Sequence, residues 1–178
     1  MTFQPTLLPG AWLIGLEPRV DERGTFSRVF CAREFDKRGL VSHYVQANLC
    51  TNHRCGTVRG IHFQRAPHEE VKLVRCVHGA IHDIIVDFRP DSQTYLQNFA
   101  VELSDANGLM LYVPKNVAHG YQALTDGATI HYMVSTYYAP SHECGLRHDD
   151  PALNISWPLP VIDISAKDAA WPNISPTS

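Results

Sequence analysis

Apolar positions in this chain recur with the period of strands rather than helices. Short runs rich in β-branched and aromatic residues, separated by turn residues, fall at 11–16, 25–31, 43–47, 57–63, 71–77, 80–88, 95–103, 109–113 and 129–138. Only His78 and Gly79 separate two of these runs, which predicts a two-residue hairpin. One early helix is predicted over 32–38, stopped by Gly39. The segment from 151 onward is rich in proline and is predicted to wrap the surface, with a short turn at 165–169. This pattern predicts an all-β protein, a sandwich or jelly-roll barrel with a few short helices.

Within the runs, a few polar residues fall on apolar parity. Lys72 alternates with Val74 and Cys76, so period-2 pairing turns it inward unless it snorkels or sits at an edge. Tyr132 alternates with Ile130 and Val134 in the same way, as a core tyrosine or a cavity residue. Arg59 and His62 differ in parity; Gly60 between them is a natural bulge position that brings both to one pocket.

Composition narrows the class. At 178 residues, 44% hydrophobic and 19% charged, the chain is sized for one domain, 1–178, that buries its own core. Fifteen Lys and Arg against eighteen Asp and Glu give a net charge of −3 without charge runs, so there is no electrostatic footprint for nucleic acid or an anionic membrane. The apolar patch at 11–16 is too short for a signal or a membrane span. The five cysteines include no C-x-x-C pair, which argues against structural zinc and a disulfide framework and for a cytoplasmic protein. Ten histidines are an excess that asks for a chemical reason.

Two stretches supply candidates. Gly56-Thr-Val-Arg59-Gly60-Ile-His62-Phe-Gln64, followed by His68-Glu69, and Gly108-Leu-Met-Leu-Tyr-Val-Pro114-Lys-Asn116-Val-Ala-His119 together resemble the two cupin motifs. Where that motif usually reads His-x-His, this chain has His62-Phe63-Gln64, so one imidazole ligand is missing. His62, Glu69 and His119 remain as a two-His-one-carboxylate set of the kind that suits non-haem iron, which keeps a metal-dependent oxygenase or isomerase as an alternative.

A longer series of residues resembles the dTDP-4-dehydrorhamnose 3,5-epimerase family, a metal-free branch of the cupins. It runs from Asp21-Glu-Arg23-Gly24 through Val45-Gln46 with Asn48, Arg59-Gly-Ile-His62-Phe-Gln64 and Lys72-Leu-Val. It continues with Ala118-His119-Gly120, Tyr132, Tyr137-Tyr138-Ala-Pro140, Gly145-Leu-Arg147-His-Asp149-Asp150-Pro151 and Ser165-Ala-Lys167-Asp168. The resemblance implies a cupin-type jelly roll and an epimerase of a nucleoside-diphosphate 4-keto-6-deoxysugar. It implies neither a metal nor an organic cofactor. His62 would be the base, Asp168 its carboxylate partner, Lys72 the cation at the enolate oxygen, and Tyr132 the acid on the opposite face. Arg23, Arg59, His119 and Lys167 would meet the diphosphate, with Gln46, Asn48, Tyr138 and Glu143 around the base and sugar. It also implies a homodimer in which an exchanged N-terminal segment carries Arg23 to the partner.

The departures bear on the substrate. Arg28 stands where the family usually has Glu, and Ala47 and Leu49 where it has Asp and His. The Glu at the position of Arg28 would contact thymine, so its replacement by Arg reverses the hydrogen-bond demand and raises a CDP-linked sugar as an alternative. A catalytically silent sugar-nucleotide binder is a third reading.

Overall fold

The computed structural model describes residues 1–174. In chain order its elements are β1 (Thr2–Pro5), β2 (Trp12–Gly15), β3 (Arg19–Asp21), β4 (Gly24–Phe26), α1 (Ala32–Asp36), β5 (Gln46–Thr51), β6 (Thr57–Gln64) and β7 (Lys72–His78). There follow β8 (Ala80–Asp87), β9 (Asn98–Ser104), β10 (Met110–Val113), β11 (Val117–Ala123), β12 (Thr129–Val134), β13 (Glu143–Gly145), β14 (Asp163–Ile164) and α2 (Ala166–Ala169).

Two sheets face each other as a cupin-type jelly roll. The first runs β1-β2-β10-β7-β12-β5; the second runs β13-β6-β11-β8-β9, with β14 added parallel to β6. Side-chain alternation builds the core between them. Val74 and Cys76 of β7, Leu111 and Val113 of β10 and Ile130 of β12 meet Ile81 and Ile85 of β8, Leu103 of β9 and Ala123 of β11, all buried. Burial of this set is the main stabilising contribution, about 1.5–3 kcal/mol per large apolar side chain. The alternate residues face outward and are also covered. Leu73, Met110 and Tyr112 pack under Phe35 of α1, and Val86 and Ala118 pack under Leu146 and Leu153 of the C-terminal segment.

The structure corrects several expected boundaries. His78 and Gly79 do not close a hairpin. β7 pairs with β10 and β12 while β8 pairs with β9 and β11, so this tight turn carries the chain from one sheet to the other. The strand expected at 25–31 stops at Phe26, and that expected at 43–47 lies further on, over Gln46–Thr51. Five strands fall outside the predicted runs: β1, β11 and the short β3, β13 and β14. Helix α1 is shorter than the 32–38 expected, and Gly39 at φ 68° takes the left-handed turn beyond it. In the described part of the C-terminal segment, Leu153 packs on the second sheet, β14 pairs with β6, and the turn at 165–169 is α2, with the Ser165 hydroxyl accepting the Asp168 N–H as an N-cap.

Candidate active site

The apolar core does not fill the whole interior of the barrel. Some inward positions of the same strands are polar: Lys72 in line with Val74, Tyr132 with Ile130, and His119 with Tyr121. They enclose a cavity of about 780 Å³, within the size range of small-molecule sites.

Lys72 and Tyr132 enter from the first sheet, as their parity predicts, with Gln46, Asn48 and Cys50 beside them on β5. From the second sheet come Arg59 and His62 of β6 and His119 of β11. A bulge makes that possible. His62 pairs with His119 and Arg59 with Tyr121, so three steps along β6 match two along β11. Gly60, at φ 106°, absorbs the extra residue; a Cβ there would lie 2.6 Å from Gly120 Cα and 2.7 Å from the His119 carbonyl. Asp168 and Lys167 reach the cavity from α2, because β14 fastens the end of the chain to β6.

The His62 ring is held from behind. Its Nε2 lies 2.6 Å from Asp168 Oδ1, and Asp168 Oδ2 accepts the Gly60 N–H at 3.2 Å. Burial pushes the Asp168 carboxyl up, but the hydrogen bond and charge of His62 and the Gly60 N–H outweigh it, leaving the group below the ordinary aspartate range. An ionised carboxylate only accepts, so Nε2 carries the proton and Nδ1, 3.9 Å from Glu143 Oε1, is the nitrogen with the lone pair. Trp171 closes one side, its ring centroid 6.4 Å from that of His62.

Facing His62, the Tyr132 phenol is held protonated. Burial raises it most, and Cys50, Glu70 and Glu143 add to this against the opposing charge of Arg59. Lys72 Nζ donates to the His62 carbonyl at 3.1 Å and lies 3.1 Å from Glu70 Oε1. Glu143 accepts from Tyr138 Oη at 2.8 Å and from Lys167 Nζ at 2.9 Å. Burial raises the Glu143 carboxyl, yet these donors and His62 bring it below its usual range. Arg59 Nε donates to Asn52 Oδ1 at 2.9 Å, which leaves the terminal guanidinium nitrogens for a ligand. His119 Nε2 sits 2.7 Å from the fully buried Asp83, a second histidine–carboxylate pair.

Eleven of the thirteen site residues named from the sequence therefore line one cavity: His62, Lys72, Tyr132, Asp168, Gln46, Asn48, Arg59, His119, Tyr138, Glu143 and Lys167. Arg23 and Arg28 do not. Arg23 sits at the tip of the β3–β4 ribbon, 84% exposed and paired with Asp21, and Arg28 lies 3.8 Å from Glu34. Glu69 is also outside; the carboxylate that reaches the cavity is Glu70. His62 and His119 each commit Nε2 to a different carboxylate, and the proposed iron set of His62, Glu69 and His119 is not assembled among the described residues. Sequence reasoning missed Asp83 and Glu70. The parity that singled out Lys72 would have found Asp83, which alternates with Ile81 and Ile85.

Such a cavity in a cupin-type barrel, lined from one sheet by a carboxylate-held histidine and from the other by a tyrosine and a lysine, holds the groups that an enzyme of proton transfer at a carbon acid requires. A family profile described as dTDP-4-dehydrorhamnose 3,5-epimerase matches residues 5–175. The chain is 40% identical over 172 residues to the dTDP-4-dehydrorhamnose 3,5-epimerase of Methanothermobacter thermautotrophicus, covering 95% of this chain and 92% of that one. The Bacillus anthracis dTDP-4-dehydrorhamnose 3,5-epimerase, solved with TDP and PPi bound, superposes with a TM-score of 0.93 at 35% identity, covering 97% of this chain and 99% of that one. The Legionella pneumophila dTDP-6-deoxy-D-glucose-3,5-epimerase, in complex with dTDP-4-keto-L-rhamnose, superposes with a TM-score of 0.89 at 33% identity, covering 96% and 90%. The chain belongs to the dTDP-4-dehydrorhamnose 3,5-epimerase family and is an isomerase acting on a sugar nucleotide.

Proposed function

We propose that this enzyme inverts carbon beside the C4 ketone of a dTDP-linked 4-keto-6-deoxysugar, at C3, C5 or both, through an enolate. The observation that carries the assignment of roles is that the His62–Asp168 pair on one sheet and Tyr132 with Lys72 on the other line a single cavity. The ketone acidifies the neighbouring C–H. His62 Nδ1 takes that proton, and the imidazolium formed is steadied by Asp168 on Nε2. The electron pair moves onto the C4 oxygen, where an N–H of Lys72 meets the developing charge; one such donor is worth roughly 10²–10³ in rate. Tyr132, protonated and on the other sheet, returns a proton to the opposite face of the carbon. The base, cation and acid that the sequence requires are thus all side chains of this chain.

For the diphosphate, Arg59 and Lys167 stand at the cavity as its cationic partners with His119 as a hydrogen-bonding one, and Gln46, Asn48, Tyr138 and Glu143 as polar contacts to base and sugar. Arg23 joins them from a second copy in a homodimer. This is supported by the exposure of the whole β3–β4 ribbon, with Val20 at 74% and Phe26 at 64%. We place the enzyme in the cytoplasm, where its five unpaired cysteines stay reduced. No helix among the described residues is long and apolar enough to cross a membrane.

The assay is turnover of dTDP-4-keto-6-deoxyglucose by the purified protein, with thermal shifts by dTDP, UDP, CDP and GDP alongside. Epimerised product and preferential stabilisation by dTDP are expected. Stabilisation by CDP alone would move the assignment to a CDP-linked sugar, and binding without turnover would mark a silent binder.

A further inference from the structure

Glu70 lies in the cavity wall, and beyond its charge near Tyr132 it has no part in the chemistry described so far. Its side chain and that of Lys72 are each 10% exposed, and Glu70 Oε1 is 3.1 Å from Lys72 Nζ. The other carboxylate oxygen is fixed from behind, accepting from Gln64 Nε2 at 2.9 Å. Gln64 is itself buried and immobilised, its Oε1 accepting from the Ala139 N–H at 2.6 Å and its Nε2 also reaching the His68 carbonyl at 3.0 Å. Glu70 therefore stands between two donors, a position that a group able only to accept fills best.

An ammonium has three N–H groups on a freely rotating end, and a lysine stem has many rotamers. The His62 carbonyl takes one of the three N–H groups of Lys72 at 3.1 Å. We infer that Glu70 is a positioning residue for the reaction. By taking a second N–H of Lys72 it turns the third into the cavity, towards the oxygen on which the enolate charge develops. The inference rests on the role given to Lys72 above. Preorganised donors act strongly because no reorientation is needed as charge forms. A lysine left to rotate loses that advantage in the transition state more than in substrate binding. The same carboxylate also helps to keep Tyr132 protonated, second to burial and alongside Cys50 and Glu143.

The test is steady-state kinetics of the full-length enzyme on dTDP-4-keto-6-deoxyglucose with E70A, E70Q, E70S and K72A. E70A is expected to lose about 30- to 100-fold in kcat with KM changed by no more than about twofold, since the contribution is an aimed donor. E70Q, which keeps an oxygen acceptor for Lys72, recovers most of the loss. Formate added to E70A restores part of kcat and leaves wild type unaffected. E70S, which cannot reach Lys72, takes the place of E70A if that variant does not fold. E70A or E70S turning over within about threefold of wild type overturns the inference, as does E70Q as slow as E70A. K72A separates the two levels. Wild-type turnover in K72A removes the role of Lys72 itself, whereas an inactive K72A beside a fast E70A removes only that of Glu70.

Discussion

At the scale of single residues, Asp168, Glu143 and Tyr132 each have neighbours that hold their protonation state. Asp168 is 3% exposed, and an isolated buried carboxylate would be pushed up; the His62 ring and the Gly60 N–H reverse the sign. D168N keeps the shape but presents an amide to Nε2, favouring the wrong tautomer of His62. We expect kcat to fall about 10²- to 10⁴-fold with little change in KM, as for other histidines deprived of their carboxylate. Stability should follow the same group. Because the folded carboxyl lies below the ordinary 3.8, its contribution is full above that value and is lost as the pH falls through the lowered one. Acid titration of wild type against D168N, followed by circular dichroism, should show the variant lacking this part of the dependence.

At the scale of elements, two strands and one bulge assemble the site. β6 carries Arg59 and His62 to the same side only because Gly60 takes the extra residue, packed against Gly120 of β11. A Cβ has no room there, and φ 106° is unfavourable for any side chain. G60A is expected to cost ~3 kcal/mol or more and to abolish turnover. A denaturant midpoint near that of wild type would show that the bulge is not needed. Lys72 and Tyr132 were legible in the sequence because their strand neighbours are apolar, so a polar residue on that parity stands out. β5 was displaced in the reading because its inward residues, Gln46, Asn48 and Cys50, face the cavity and carry no hydrophobic signal. β11 was missed because all seven of its residues are buried, with His119, Gly120 and Gln122 interrupting the apolar run. The pairing of His62 with Asp168 spans 106 residues, and no local pattern carries it. It came from the family resemblance alone. Glu69 and Glu70 precede β7, where no strand period yet distinguishes them.

At the scale of the whole molecule, the jelly roll divides its interior between an apolar core that holds the sheets together and a polar cavity lined by the candidate site residues. The β3–β4 ribbon belongs to neither; it stands off the barrel with Val20 and Phe26 bare and Arg23 at its tip. If a second copy receives it, V20S/F26S should shift the enzyme from dimer to monomer by light scattering. R23A should raise KM about tenfold, the contribution of one charge-assisted contact, while the protein stays dimeric. A monomeric wild type with full activity would contradict this. The proposed roles carry a stereochemical consequence. His62 belongs to one sheet and Tyr132 to the other, so with His62 as base and Tyr132 as acid the proton would leave and return on opposite faces of the sugar. The most direct test is to follow deuterium entry and inversion at C3 and C5 in D₂O for wild type, H62A and Y132F. Wild type should do both and H62A neither. Y132F should take up deuterium through His62 while leaving the configuration unchanged. Inversion by Y132F at the wild-type rate, or deuterium uptake by H62A at that rate, would contradict the assignment of base and acid.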